Sequence, residues 1–333
     1  MTFIETDKID TEITLKGAFF EFPRAAKLAK QFKWCIRDYY VKASTGQDFE
    51  ARGLMVTGES RVGKTKEIKT LIKQFNDSDT IMPNGKVGKI ARCTLSGQVT
   101  WKNLGATVLR SLGYDLKGSR TNDYIWKGVL HQAERQGVIG IHFDECQHVF
   151  KGKSDADRNR IFLDSFKTLM KEAQWPFILI LSGIPSLAGY VREEEQLHHL
   201  LRPVHFDTID FDRVPENEGG DEVCDAFSDM QILNRLAFAL ADSIELDFEP
   251  LSTEDFFERL NFASLSRWGL AIEFLIDAFV ECSRHGRKTI AIDDFVESFA
   301  GKSGIPKAMS PFTVPDYDEI LDPAALLELL DKD

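Results

Sequence analysis

The chain has 333 residues, which is enough for two folded domains at the usual ~100–200 residues per domain. Its 43% hydrophobic and 28% charged residues exclude a disordered chain, a collagen and a coiled-coil rod. No run reaches the ~18 apolar residues that a membrane span needs, and the acidic start lacks the apolar core of a signal peptide. Five scattered cysteines without a Cys-x-x-Cys pair argue against a disulfide framework. A cytoplasmic location is therefore expected.

Acidic and basic residues are distributed unevenly along the chain. The formal net charge is −12, but residues 207–258 alone carry −14 and residues 315–333 carry −6. The remainder is therefore +8, of which residues 51–100 supply +5. Because surface charges act over only about 8 Å at physiological salt, a surface that attracts phosphate is compatible with an acidic total. The excess of positive charge in residues 51–100 indicates either a phosphate-attracting surface or charges that only keep the protein soluble.

Strands are predicted to alternate with helices between residues 46 and 212. Residues 1–45 form a segment that leads into this core through a helix over 25–40. The predicted strands are 53–57, 89–95, 138–143, 177–181 and 204–209, and the predicted helices are 64–76, 101–113, 122–135, 158–171 and 193–201. This alternation predicts an α/β fold with a mostly parallel sheet sandwiched by helices.

Residues 213–300 show helical periods and little strand character, which predicts a smaller all-α domain. Its helices are expected at 231–243, 253–260, 270–285 and 292–299. Residues 301–333 are acidic and interrupted by four prolines, so they are predicted to form an extension with one short helix over 324–330.

The most specific motif fits G-x-x-x-x-G-K-[ST] and lies between a predicted strand and a predicted helix. It consists of Gly58, Glu59, Ser60, Arg61, Val62, Gly63, Lys64 and Thr65. The glycines let backbone N–H groups surround phosphate oxygens, and the helix N-terminus adds partial positive charge. Lys64 is expected to reach the β- and γ-phosphates, and Thr65 to bind Mg²⁺ through its hydroxyl. ATP and Mg²⁺ are therefore the predicted cofactors; the alternative is a chance match in a strand–turn–helix.

A second apolar strand, 138–143, ends in Asp144 and Glu145. Paired with the glycine-rich loop, this pattern predicts that Asp144 holds Mg²⁺ and that Glu145 polarises the attacking water. Strands often end in acids, so the pattern alone is weak. His142, Cys146 and His148 lie nearby, but they lack a fourth ligand, and His142 is expected to point away from the neighbours of Asp144. A zinc site is therefore not predicted.

Three further polar residues have two interpretations each. Ser182 ends a buried strand, where it either faces the γ-phosphate or is an ordinary strand-to-turn serine. Arg202 is either a surface ion-pair partner or an arginine finger offered to a neighbouring subunit's nucleotide. Arg267 opens a helix of the second domain, where it either contacts the γ-phosphate or caps a loop.

Taken in order, these residues resemble the AAA+ ATPases, with Ser182 at the first sensor position, Arg202 as the arginine finger and Arg267 at the second sensor position. The finer resemblance is to the TniB/TnsC transposition helpers and covers about residues 18–314. It rests on the motifs above together with Phe22-Pro23-Arg24, Leu109-x-x-Leu112-Gly113, Gln147-His148, Leu163-x-x-Phe166-Lys167-x-Leu169, Gln196-Leu197 and Pro311-Phe312. Many AAA+ proteins carry Asn or Thr where this chain has Ser182, and Gly-x-x-Arg where it has Ser-Arg267-Trp-Gly.

The resemblance implies ATP-dependent assembly into rings or helical filaments on duplex DNA, recruitment of a transposase, and hydrolysis that disassembles the filament. Such proteins contact the DNA backbone without reading bases. The candidate DNA-binding residues are Lys102, Lys117, Arg120, Lys151 and Lys153. One alternative is an AAA+ protein of replication initiation or loading, which a winged-helix domain after residue 300 would mark. Another is a nucleotide-gated protein-binding adaptor with little hydrolysis.

Overall fold

The computed structural model describes residues 9–18, 20, 22–95, 97, 99–150, 155–213 and 227–330. The chain divides into two compact units. The first, which we call the α/β unit, is Pro23–Asp207, and the second, the helical unit, combines Met1–Phe22 with Thr208–Asp333. Within the described ranges, no helix is both long enough and apolar enough to cross a membrane.

The α/β unit is built on a five-stranded parallel sheet with the order β2-β3-β4-β1-β5. Its strands are β1 (Gly53–Gly58), β2 (Lys89–Thr94), β3 (Val138–Asp144), β4 (Ile178–Gly183) and β5 (Leu201–Phe206). The helices of this unit are α2 (Pro23–Ser44), α3 (Lys64–Asp77), α4 (Trp101–Ser111), α5 (Asn122–Gln136), α6 (Ala156–Met170), α7 (Ser186–Arg192) and α8 (Glu195–Leu200). The predicted fold class, a parallel sheet flanked by helices, is confirmed.

Burial along the strands follows their place in the sheet. The three inner strands β1, β3 and β4 are buried at every position, as expected where both faces of a sheet are covered. The edge strands β2 and β5 are only partly buried. β5 begins at Leu201 rather than at the predicted residue 204, and it carries Pro203, which an edge strand tolerates because one side has no ladder partner.

Local sequence signals set the ends of the connecting helices. Thr100 and Thr121 cap α4 and α5, each accepting a hydrogen bond from the backbone N–H three residues on. Gly137 ends α5 with φ 75°, and a Cβ at that position would lie 2.3 Å from the Val87 carbonyl oxygen. Glycine is therefore required where α5 turns into β3. The short helix α7 was not predicted from the sequence.

The helical unit contains α1 (Ile9–Gly17), α9 (Asp229–Asp242), α10 (Glu254–Ala263), α11 (Trp268–Arg284), α12 (Ile292–Ser303), α13 (Tyr317–Ile320) and α14 (Pro323–Leu330). Its core is rich in phenylalanine. Phe248 is 1% exposed, and its ring centroid lies 5.4–6.1 Å from those of four other phenylalanines. Edge-to-face ring pairs of this kind contribute about 0.5–1.5 kcal/mol each beyond the burial of their area.

Residues from both ends of the chain belong to the helical unit. Leu15 of α1 is buried, and Thr11 Oγ1 lies 3.4 Å from Ser283 Oγ on α11, so α1 belongs to the helical unit whereas α2 belongs to the α/β unit. Phe312 is buried with its ring 5.4 Å from that of Phe295. Residues 301–330 therefore pack as part of the helical unit.

Candidate functional site

The loop between β1 and α3 has a backbone that only glycine permits at two positions. Gly63 has φ 99°, a region that L side chains rarely adopt. A Cβ on Gly58 would lie 2.4 Å from the carbonyl oxygen of Phe206 in β5. Arg61 between them has φ 60°. This curled loop leads directly into the N-terminus of α3, the arrangement that presents backbone N–H groups to a phosphate.

Lys64 is the first residue of α3, and its ammonium group lies over the loop. Its Nζ donates to the carbonyl oxygens of Gly58 at 2.8 Å and Glu59 at 2.6 Å, and the side chain is buried. The cation is thus held where phosphates approach the N–H groups of the loop. The structure therefore brings the predicted residues 58–65 together in one turn at the N-terminus of α3.

Asp144 connects three segments that are far apart in sequence. Its Oδ1 accepts hydrogen bonds from Thr65 Oγ1 at 3.2 Å, from Ser182 Oγ at 2.7 Å and from the backbone N–H of Glu145 at 3.2 Å. The carboxyl ends of β3 and β4 and the start of α3 thereby meet at one edge of the sheet. The hydroxyl and the carboxylate are oxygen ligands of the kind that Mg²⁺ prefers.

His142 lies beside this group, contrary to the expectation that it points away. Residues two apart on a strand project to the same face, so His142 and Asp144 are on the same side of β3. The imidazole is 0% exposed, and its Nε2 lies 2.8 Å from Ser182 Oγ. Burial lowers the pKa of His142 to about 4, although the nearby Asp144 carboxylate opposes the shift. Among the described residues, no group of three or more His, Cys, Asp or Glu side chains is placed to hold a metal ion.

Glu145 has a fixed backbone and a fixed side-chain partner. Its φ is 57°, and its Oε2 accepts a hydrogen bond from the Nε2 of Gln147. The Oε1 of Gln147 in turn accepts from the backbone N–H of Ile184 at 3.2 Å. A Cβ on Gly183 would lie 2.3 Å from that Oε1, so a larger residue there would displace the Gln147 amide. Gln147 therefore connects the Glu145 carboxylate to the end of β4, a link that no sequence pattern indicated.

The two predicted arginines lie in different settings. Arg202 is in β5, and its guanidinium lies 4.0 Å from the ring centroid of Trp34 on α2. Such a contact over an indole face holds the side chain by a cation–π interaction. Arg267 is the residue before α11 in the helical unit, and it is 8% exposed. The arginine-finger and second-sensor roles of these residues stay predictions.

Arg24, in the first turn of α2, lies beside the glycine-rich loop. Its Nη2 lies 3.4 Å from the position that a Cβ on Gly63 would occupy, and its guanidinium lies 6.0 Å from the centroid of the Phe206 ring. Glu67 on α3 is buried nearby; burial raises the pKa of Glu67, and Arg24 opposes that shift. The sequence offered Phe22-Pro23-Arg24 only as part of the family pattern, without a role for this arginine.

Three of the five candidate DNA-binding residues lie close to the α4–α5 loop. Lys102, in the first turn of α4, donates from Nζ to Ser119 Oγ in that loop at 3.4 Å. Arg120 lies over the exposed ring of Tyr124, 5.2 Å from its centroid, and Lys117 is exposed in the same loop. Lys151 and Lys153 fall outside the described residues. The described three therefore form one basic region with an aromatic ring.

Residues 47–191 match a protein-family model described as an AAA domain. The matched segment lies within the α/β unit, which is therefore similar to AAA domains. The matched segment includes the glycine-rich loop, Asp144, Glu145 and Ser182, so the hydrogen-bonded group described above lies inside it. This fold is that of a P-loop nucleoside triphosphatase, and it supports nucleotide binding at the loop before α3.

Solved structures with the same fold include a Cdc6p protein and two ORC proteins. Cdc6p from Pyrobaculum aerophilum aligns with a TM-score of 0.59 and 11% identity, covering 86% of this chain and 70% of that one. The ORC2 protein of Aeropyrum pernix, in its ADPNP–ADP complexes, aligns with a TM-score of 0.55 and 14% identity. The alignment covers 86% of this chain and 71% of that one. The ORC1 protein of the same organism, in complex with DNA, aligns with a TM-score of 0.53 and 12% identity. The alignment covers 88% of this chain and 69% of that one. These similarities show a shared fold, an AAA+ core with a C-terminal helical region. No curated protein sequence matches the chain.

Proposed function

We propose that this protein is an ATP-dependent AAA+ ATPase that assembles on duplex DNA and acts as a transposition regulator, selecting the target and recruiting the transposase. The observation that carries the ATPase part is the hydrogen-bonded group of Thr65, Asp144 and Ser182 beside the glycine-rich loop. One edge of the sheet carries a phosphate-binding turn, a pair of oxygen ligands and a carboxylate that can polarise water.

Each of these residues has a distinct part in hydrolysis. The loop N–H groups and Lys64 hold the phosphates, and Thr65 with Asp144 would hold Mg²⁺. When bound, that ion neutralises charge that develops on the phosphate oxygens. Glu145 orients and polarises the attacking water, and Gln147 keeps its carboxylate in one position. Ser182 fixes the rotation of the Asp144 carboxylate through its 2.7 Å hydrogen bond.

The DNA-binding part rests on the basic region around the α4–α5 loop and on the family resemblance. Lys102, Lys117 and Arg120 offer charges for phosphates, and Tyr124 beside Arg120 offers a flat surface. Phosphate contacts carry no direct sequence information, so binding is expected on any duplex. Each contact is weak alone, and an ATP-driven oligomer brings many of them together.

A role in replication initiation is the second candidate. It is favoured by the shared fold with Cdc6p and with an ORC1 protein that was solved in complex with DNA. Within residues 301–330 the structure has short helices, of which α14 packs on α12, and no strand, so this segment itself is not the winged-helix domain that would mark an initiator. An initiator is also expected to prefer a defined origin sequence, whereas a target selector is not.

DNA binding measured with and without ATP, across a salt series and on several duplex sequences, tests the proposal. We expect ATP-dependent binding, little sequence preference, and a log–log salt slope of about −0.9 per phosphate neutralised. Lys102→Ala with Arg120→Ala should flatten this slope and weaken all duplexes alike. Lys288→Ala is the control, because it also removes one positive charge but lies in the helical unit, where the lysine pairs with Glu245. Binding without ATP, or to one short sequence only, would contradict the proposal; the second result would favour the initiator.

A further inference from the structure

A buried imidazole lies next to the Asp144 group and has no role in the mechanism above. His142 is on the inner strand β3, 0% exposed, and its Nε2 lies 2.8 Å from Ser182 Oγ and 4.0 Å from Asp144 Oδ1. Its Nδ1 is buried and has no hydrogen-bond partner. Burying a polar ring costs free energy unless its polar atoms are hydrogen-bonded, and here only Nε2 has a partner.

The directions of these hydrogen bonds follow from what each group can donate. An ionised carboxylate only accepts, so the 2.7 Å contact uses the single hydroxyl hydrogen of Ser182. The hydroxyl oxygen must then accept from His142 Nε2. A neutral imidazole carries one N–H, which places the hydrogen on Nε2 and leaves Nδ1 bare. A bare Nδ1 agrees with the absence of a partner at that atom.

We propose that His142 is a positioning residue that holds the Ser182 hydroxyl on Asp144, and that it thereby orients the carboxylate which binds Mg²⁺. Without the imidazole, the hydroxyl has a competing acceptor, because the carbonyl oxygen of Phe143 lies 3.5 Å from Ser182 Oγ. A hydroxyl that rotates toward this carbonyl no longer donates to Asp144. The inference rests on the proposed ATPase function. It adds to that site a residue that does not bind the metal itself but orients a side chain that does.

Two substitutions separate the hydrogen bond from the bulk of the ring. His142→Phe keeps a flat ring of similar size but removes the donor. His142→Gln keeps an amide N–H that reaches the position of Nε2. Partners behind a metal ligand are worth about 10- to 100-fold in metal affinity or activity. His131→Phe, on the exposed side of α5, is the control for the same chemical change away from the site.

The decisive assay is ATP hydrolysis at a series of Mg²⁺ concentrations, with ATP binding in EDTA measured alongside. For His142→Phe we expect kcat about 10- to 100-fold lower and a higher half-saturating Mg²⁺ concentration, with metal-free ATP binding within about twofold of the parent. His142→Gln should recover most of the loss, and His131→Phe should match the parent. If His142→Phe hydrolyses ATP as the parent does, with the same Mg²⁺ requirement, the inference alone is overturned. If the parent itself shows no Mg²⁺-dependent hydrolysis, both the proposed function and this inference are contradicted.

A measurement on the unaltered protein covers the case in which the Phe variant does not fold. Nitrogen-15 NMR of histidine-labelled protein, with His142 assigned by its disappearance in His142→Gln, reports which ring nitrogen carries the hydrogen. We expect the tautomer protonated at Nε2. The tautomer protonated at Nδ1 would leave Nε2 without a hydrogen to donate and would overturn the inference.

Discussion

Glu145→Gln is expected to separate ATP binding from ATP hydrolysis. The substitution keeps the size of the side chain, and the new amide oxygen can still accept from Gln147 Nε2, so the geometry is retained. A general base contributes about 10²–10⁴-fold to rate, which corresponds to about 2.7–5.4 kcal/mol of barrier. The hydrogen bond changes from charge-assisted to neutral, and at this half-buried residue that costs about 1 kcal/mol of stability or less.

The assay is single-turnover hydrolysis of labelled ATP, with nucleotide affinity and thermal unfolding measured on the same protein. Glu145→Gln should bind ATP within about twofold of the parent and hydrolyse it at least about 100-fold more slowly. Its DNA complexes should also persist longer, because hydrolysis is proposed to drive release. Glu193→Gln, at an exposed position after α7, is the matched control. A variant that hydrolyses ATP within about threefold of the parent would refute the role assigned to Glu145.

Other substitutions and one labelling experiment test separate parts of the structure. Lys64→Ala removes the cation held over the loop and should abolish ATP binding, as measured by equilibrium binding of a fluorescent nucleotide; parent-like affinity would contradict the loop assignment. Phe312→Ala removes a buried ring of the helical unit and should lower the free energy of unfolding by about 3–5 kcal/mol, whereas Ile320→Ala at an exposed position should change it by less than about 0.5 kcal/mol. Burial raises the pKa of Cys35 to about 12 and that of Cys93 to about 11, so neither thiol should react with a disulfide reagent at pH 8 before unfolding, as mapped by mass spectrometry.

The turn conformation of the glycine-rich loop and the alternation of strands and helices could be predicted from the sequence because both depend on short-range patterns. Gly58 and Gly63 are required by local backbone geometry, and their spacing is visible in the sequence. The inner strands were predicted within one or two residues because most of their residues are apolar. The start of β5 was placed three residues late because Pro203 favours an irregular segment until pairing at a sheet edge is considered.

Contacts between distant residues account for what the sequence did not predict. Ser182 meets Asp144 only through the register of β3 and β4, in which Phe143 is opposite Leu181. The placement of His142 was wrong, although its period-two relation to Asp144 was a signal that could have corrected it. Arg24 and Gln147 act across loops, so no spacing rule identifies their partners. The packing of α1 and residues 301–330 onto the helical unit is equally non-local.

Electron microscopy of Glu145→Gln with duplex DNA, with ATP or without nucleotide, tests the central claim most directly. The proposed function predicts rings or helical filaments of this protein around DNA of arbitrary sequence, formed only when ATP is present. The same sample prepared with Lys64→Ala should show bare DNA, because assembly requires bound ATP. Particles that bind DNA as isolated copies, or that assemble equally without nucleotide, would contradict the claim that ATP drives assembly on the duplex.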